Sequence, residues 1–337
     1  MSSPGVILDP AALARFTQST ALGDRAAALL AEQKESWETL RRGYESLSTV
    51  RTRAFQFERT LVKVQFNPGR ITSSAAKVDA RSISERPCFL CPHNLPAAQR
   101  GLLVHGEYLV LGNPFPIFPE HFTIAHREHR PQRILPALRV FLDLAREMAP
   151  RYTLVYNGPR CGASAPDHLH LQAGLRGFMP LESELGSLRE RGEEVLADRH
   201  GVRVATVAGT MRTFLILESA DRDPLEAEFR RVCDSYRRVA NDADDEPMMN
   251  LLCWYAEGRW LLALFARAKH RPSFFYAEGD EKLLLSPAAV DVGGVCTLPI
   301  EKDFLAITPD HIARTFSEIS LPPSQFERLK SALSSGR

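Results

Sequence analysis

Residues 168–172 read His-Leu-His-Leu-Gln, and this alternation constrains the fold more than any other stretch of the 337-residue chain. On a β-strand, side chains alternate between faces, so His168, His170 and Gln172 share one face while Leu169, Leu171 and Ala173 share the other. One face is polar and can react, and the other packs. The plain alternative is a strand with a solvated polar edge. The glycine-punctuated run YNGPRCGASA at 156–165 precedes the strand and reads as a loop leading into it.

The rest of the chain has the material for a large core. It is 44% hydrophobic and 25% charged, which excludes wholesale disorder. Its 42 Lys and Arg balance 41 Asp and Glu, which argues against a nucleic-acid binder or a polybasic membrane surface. The N-terminus lacks a charged-then-apolar leader, and no apolar run approaches the ~20 residues of a membrane span, so a cytoplasmic protein is expected. Six cysteines are too few for a disulfide scaffold at this length.

Periodicity gives the order of elements. Helical spacing covers 11–48, and the alternation of Phe55, Phe57, Leu61, Val62, Val64 and Phe66 predicts a hairpin that ends in a turn at Asn67-Pro68-Gly69. Strands follow in 101–113 and 116–126, a helix in 132–149 and a strand at 152–157. A helical, charged stretch is expected over 181–200, then a strand, helix and strand series to about 270 and a short closing helix in 322–333. Element order repeats, which predicts an α+β protein of two halves, each an antiparallel sheet flanked by helices, in a pseudo-twofold arrangement. The expected division is 1–80 for N-terminal helices and hairpin, 81–195 for a catalytic half carrying the metal site, and 196–337 for a second half with the C-terminal helix.

Cys88 and Cys91, in RPCFLCPHN, have the Cys-x-x-Cys spacing that brings two thiolates onto one tetrahedral cation. A redox dithiol or two unrelated buried thiols are the alternatives. Seven of the ten histidines fall between His93 and His170, which favours a metal. Spacing alone does not choose among His93, His121, His126, His129 and His168 for the remaining ligands. Thiolate and imidazole donors favour zinc, with iron the main competitor.

These residues together resemble the transferase branch of the histidine-triad superfamily, with its His-x-His-x-Gln strand. The branch includes galactose-1-phosphate uridylyltransferase, diadenosine tetraphosphate phosphorylase and GDP-hexose phosphorylases. CFLC, NPFPIFPEHFTIAHREH and NGPRCGASAPDHLHLQ carry the resemblance most strongly. It implies two halves with the histidine-triad fold and a covalent nucleotidyl-histidine on His170. His168 belongs to the same motif, and Gln172 would steady a phosphoryl oxygen. It further implies a Gly162, Ala163 and Ser164 loop receiving phosphates, Asn113 and Asn157 near the nucleotide, and a metal on Cys88, Cys91, His129 and His168, with His126 as runner-up. Leu169 stands where uridylyltransferases carry proline, which turns the expectation toward the phosphorylases.

Basic residues outside the motif are candidates by charge alone. Arg70 and Lys77, with Ser73 and Ser74, form a possible polyphosphate-contacting segment, and Arg267, Lys269, His270 and Arg271 could reach phosphates from the second half. The expected activity is transfer of a nucleoside monophosphate from a nucleotide sugar or dinucleotide to inorganic phosphate or a sugar phosphate, by a monomer or homodimer. A nucleotide hydrolase and a zinc-stabilised nucleotide-binding protein without catalysis are the alternatives.

Overall fold

Apolar alternation in the middle of the chain is resolved by strand pairing. A computed structural model describes residues 5–71, 79–242, 244 and 246–335. The hairpin of β1 (Arg51–Gln56) and β2 (Leu61–Phe66) stands apart from the main sheet. It is followed by β3 (Gly101–Val104), β4 (Tyr108–Gly112), β5 (His121–His126), the helix Leu138–Glu147, β6 (Tyr152–Asn157) and β7 (His170–Leu175). The series then repeats as β8 (Glu193–Arg199), β9 (Val202–Val207), β10 (Phe214–Ser219), the helix Arg222–Ala240, β11 (Met249–Ala256) and β12 (Arg259–Ala266). Last comes β13 (Val295–Leu298), which pairs in parallel with β2.

Spatial order makes the internal symmetry explicit. One ten-stranded sheet runs β3-β4-β5-β7-β6-β11-β12-β10-β9-β8, so each half has the same order of strands about a seam between β6 and β11. At the seam Val155 sits opposite Leu252 and Leu154 opposite Cys253 in antiparallel register. The expected two-half α+β architecture is present, with the two sheets fused edge to edge into one.

Both faces of that sheet are covered. Leu169, Leu171 and Ala173 join the core under the helices Leu138–Glu147 and Arg222–Ala240, together with Ala26, Leu29 and Leu30 of the N-terminal helix Leu22–Ser36. On the other face Val155, Leu252 and Phe265 pack against Val62 and Val64 of β2 and against Ile312 and Phe316 of the helix Pro309–Ile319. Period two therefore turns His170 and Gln172 toward the three-stranded sheet, away from the helices Leu138–Glu147 and Arg222–Ala240.

The helical, charged stretch expected over 181–200 is only half helix. The helix Pro180–Gly192 ends there, and Glu193–Arg199 pairs with β9 as an edge strand with a bulge at Val195/Ala197. Only Leu196 and Ala197 of this strand are buried, too few apolar residues for periodicity to separate a strand from a helix. Among the described residues no helix is long and apolar enough to cross a membrane.

Candidate active site and metal centre

β7 begins at His170, and the residues before it set the histidine's chemistry. His170 is buried, and its Nδ1 lies 2.8 Å from the carbonyl oxygen of His168. A carbonyl only accepts, so Nδ1 carries the proton and donates it, leaving the Nε2 lone pair free. Burial pulls the His170 pKa below its ordinary value, which keeps the ring neutral. Among the described residues no group bonds Nε2, and His170 lines a cleft of about 760 Å³.

Two glutamines and a histidine hold this strand. The backbone N–H of His170 donates to Gln132 Oε1 at 2.8 Å, while Gln132 Nε2 donates to the carbonyls of Asn157 and His170 at 2.9 and 3.0 Å. Gln132 thus stitches the end of β6 to the start of β7 beyond the last ladder pair, Val155 with Gln172. Two residues along, His121 Nδ1 accepts from Ile117 N, so its Nε2 is the donor to Gln172 Oε1 at 2.9 Å. With its oxygen engaged, Gln172 presents its NH2 to the cleft. Burial, and then the charge of Arg70, holds His121 down to about 3, so it stays neutral in this role.

The loop between β6 and β7 closes over the cleft. Gly162 has φ +94°, and a Cβ there would lie 2.6 Å from that of Ala288, so both conformation and space require glycine. Gly162, Ser164 and Asn157 line the cleft, whereas Ala163 is buried beneath it. Asn113 also lines it, its side chain tied to Thr123 Oγ1 and to Phe115 N. Arg70 supplies positive charge: one nitrogen bonds the Phe115 carbonyl at 2.7 Å, and burial, offset by Asp291, lowers its pKa only to about 10.

Cys88, Cys91, His129 and His168 form one group whose ligand atoms all lie within 4.8 Å of one another. Cys88 Sγ is 3.3 Å from His168 Nδ1, and Cys91 Sγ is 3.3 Å from His129 Nδ1. His168 Nε2 donates to the His126 carbonyl at 2.7 Å, which frees Nδ1 to ligate. His129 turns Nε2 toward Asp167 at 3.6 Å, leaving its own Nδ1 toward Cys91. Burial and then the neighbouring Cys88 push the Cys91 thiol up to about 11, an effect that a divalent cation's charge would reverse. Two sulfurs and two ring nitrogens converging in this way fit a tetrahedral thiophilic metal.

Most of the residues expected from sequence converge on these two places. His126 orients His168 through its backbone, His121 bonds Gln172, and His93 is exposed and outside the four-residue group. Lys269 is exposed and does not line the cleft. Lys77, with Ser73 and Ser74, lies outside the described residues. Gln132 was not legible as a site residue, because nothing local marks a glutamine in a loop as the partner of a strand 38 residues away.

Comparisons with known proteins bear on the fold. Residues 29–175, which include the four candidate metal ligands, His170 and Gln172, match a family model described as a domain of unknown function (DUF4922). No curated protein matches by sequence. Among solved structures, yeast Ap4A phosphorylase Apa2 superposes with a TM-score of 0.54 at 16% identity, over 85% of this chain and 94% of that one. Its complex with Ap4A gives 0.52 at 17% identity, over 86% of this chain and 98% of that one. The chain shares the fold of that enzyme. β7 carries His170 and Gln172, whereas His168, expected on the same strand, lies at the end of the 158–169 loop, where it turns to the thiols.

Proposed function

We propose that the protein is a nucleotidyltransferase of the phosphorylase type that works through a nucleotidyl-His170 intermediate. Nε2 of His170 attacks the α-phosphorus of a nucleoside diphosphate sugar or a dinucleoside polyphosphate. A P–N bond forms as the P–O bond to the distal half breaks, and the electron pair leaves with that phosphate-bearing half. Inorganic phosphate or a sugar phosphate then attacks the same phosphorus, and the new P–O bond releases neutral His170.

The tautomer lock carries this reading. With Nδ1–H held by the His168 carbonyl, the unprotonated nitrogen faces the cleft, and the carbonyl stabilises the positive charge that develops on the ring. Gln172 NH2, Arg70 and the Gly162–Ser164 loop are the groups that would take up negative charge on the phosphoryl oxygens. Cys88, Cys91, His129 and His168 would hold zinc, whose contribution is to anchor the loop ahead of β7. The yeast structures with AMP and with Ap4A make adenine nucleotides the first donors to try.

The test is intact mass at neutral or alkaline pH after incubation with Ap4A and a set of nucleotide sugars, without acceptor, beside His170→Ala. One nucleoside monophosphate on the wild type alone is the expected result, and its mass names the base. Metal-loaded protein that forms no adduct with any donor would overturn the proposal.

A further inference from the structure

Asn157 ends β6 at the cleft, and its carboxamide is held from the second half of the molecule. Its Oδ1 accepts from Ala289 N at 2.8 Å and from Asn250 Nδ2 at 2.9 Å. Asn250, fully buried opposite Asn157 at the seam, also donates from Nδ2 to the Cys161 carbonyl at 2.7 Å and accepts at Oδ1 from Arg267 Nη1. Arg267 is itself buried; Nη1 and Nη2 both donate to the Pro287 carbonyl, and Nη2 also donates to the carbonyls of Lys269 and His270.

The direction of each amide in this chain is fixed by a group of single polarity. A backbone N–H can only donate, so the Asn157 atom facing Ala289 is the oxygen. A guanidinium can only donate and a carbonyl can only accept, so Asn250 is fixed in the same way. Asn157 therefore turns its NH2, which no described residue accepts from, into the cleft beside His170. A free Asn side chain could equally offer its oxygen, which would repel an anion.

We infer that Asn250 and Arg267 are positioning residues, which act with the Ala289 N–H to fix the Asn157 carboxamide so that only its N–H donors meet an anionic oxygen of the substrate. The inference rests on the phosphate-binding reading of the cleft, and it gives the second half a role in the site although no residue of its own strands reacts. Arg267, one of the basic residues singled out from sequence, acts here on a neighbouring side chain and not on phosphate.

The test uses full-length protein labelled with 15N-asparagine and titrated with inorganic pyrophosphate, which depends on neither base nor sugar. Loss of a signal in Asn157→Asp assigns the Asn157 NH2 pair. Pyrophosphate is expected to shift that pair in the wild type, whereas in Asn250→Ala the shift disappears and the Kd rises tenfold or more. Asn250→Asp keeps a partner for Arg267 but cannot donate to Asn157 Oδ1, so it is expected to behave in the same way should the alanine variant fail to fold. Bound metal is expected to stay at the wild-type level in both variants, which separates positioning from general damage. A wild-type pair unmoved by pyrophosphate, or variants that keep both shift and affinity, would overturn the inference. A clear pyrophosphate shift without any nucleotidyl adduct would instead sink the catalytic proposal and leave this one standing.

Discussion

Single atoms decide what this cleft can do. His170→Ala is expected to remove nucleotidyl transfer by a factor of about 10⁴ or more while leaving the melting temperature near that of the wild type, because the fold asks only that the ring donate to one carbonyl. Gln172→Ala removes one donor to the phosphoryl group and is expected to slow adduct formation about 10²-fold, measured by rapid quench. His121 gives a pH signature. An unfolded chain protonates it below 6.5, whereas burial keeps it neutral in the fold down to about 3. Between those values the unfolded state holds the extra proton, so stability rises with pH and is lost as acid is added. His121→Gln is expected to remove about 1.4 kcal/mol per pH unit from that slope in urea titrations between pH 6 and 4.

At the level of elements, the junction of β6 and β7 is the vulnerable point. Gln132→Ala strands the N–H and carbonyl of His170 and the carbonyl of Asn157, and is expected to cost about 2–4 kcal/mol in denaturant midpoints. Cys88→Ser is expected to lower bound metal below half an equivalent by elemental analysis and to slow adduct formation, since His168 both belongs to the metal group and anchors the His170 ring. The sequence announced the motif strand and the paired thiols because period two and a two-residue spacing are local signals. Gln132 and Asn250 escaped because their roles exist only once β6, β7 and β11 lie side by side. Arg267 and Lys269 are two residues apart with the same charge, yet one is buried against Asn250 and the other is exposed, a difference that packing around β12 sets and charge does not.

On the scale of the whole molecule, the seam between β6 and β11 joins the two halves into one sheet, and Leu154 and Leu251 share a single core cluster. Scanning calorimetry is expected to show one cooperative transition with matching calorimetric and van't Hoff enthalpies, and two separated transitions would contradict a shared core. The repeated order of helices and strands was legible before the structure because helices and strands alternate visibly along the chain. Their fusion into one sheet was not, because an antiparallel seam between strands nearly a hundred residues apart leaves no local trace. The two halves differ most where β6 reaches β7 through residues 158–169, while β11 reaches β12 through Glu257 and Gly258 alone. A scaffold built twice thus carries a long cleft-lining loop once. Active-site titration with a labelled donor should accordingly burst to one equivalent per chain, and any cooperativity between sites has to arise between molecules.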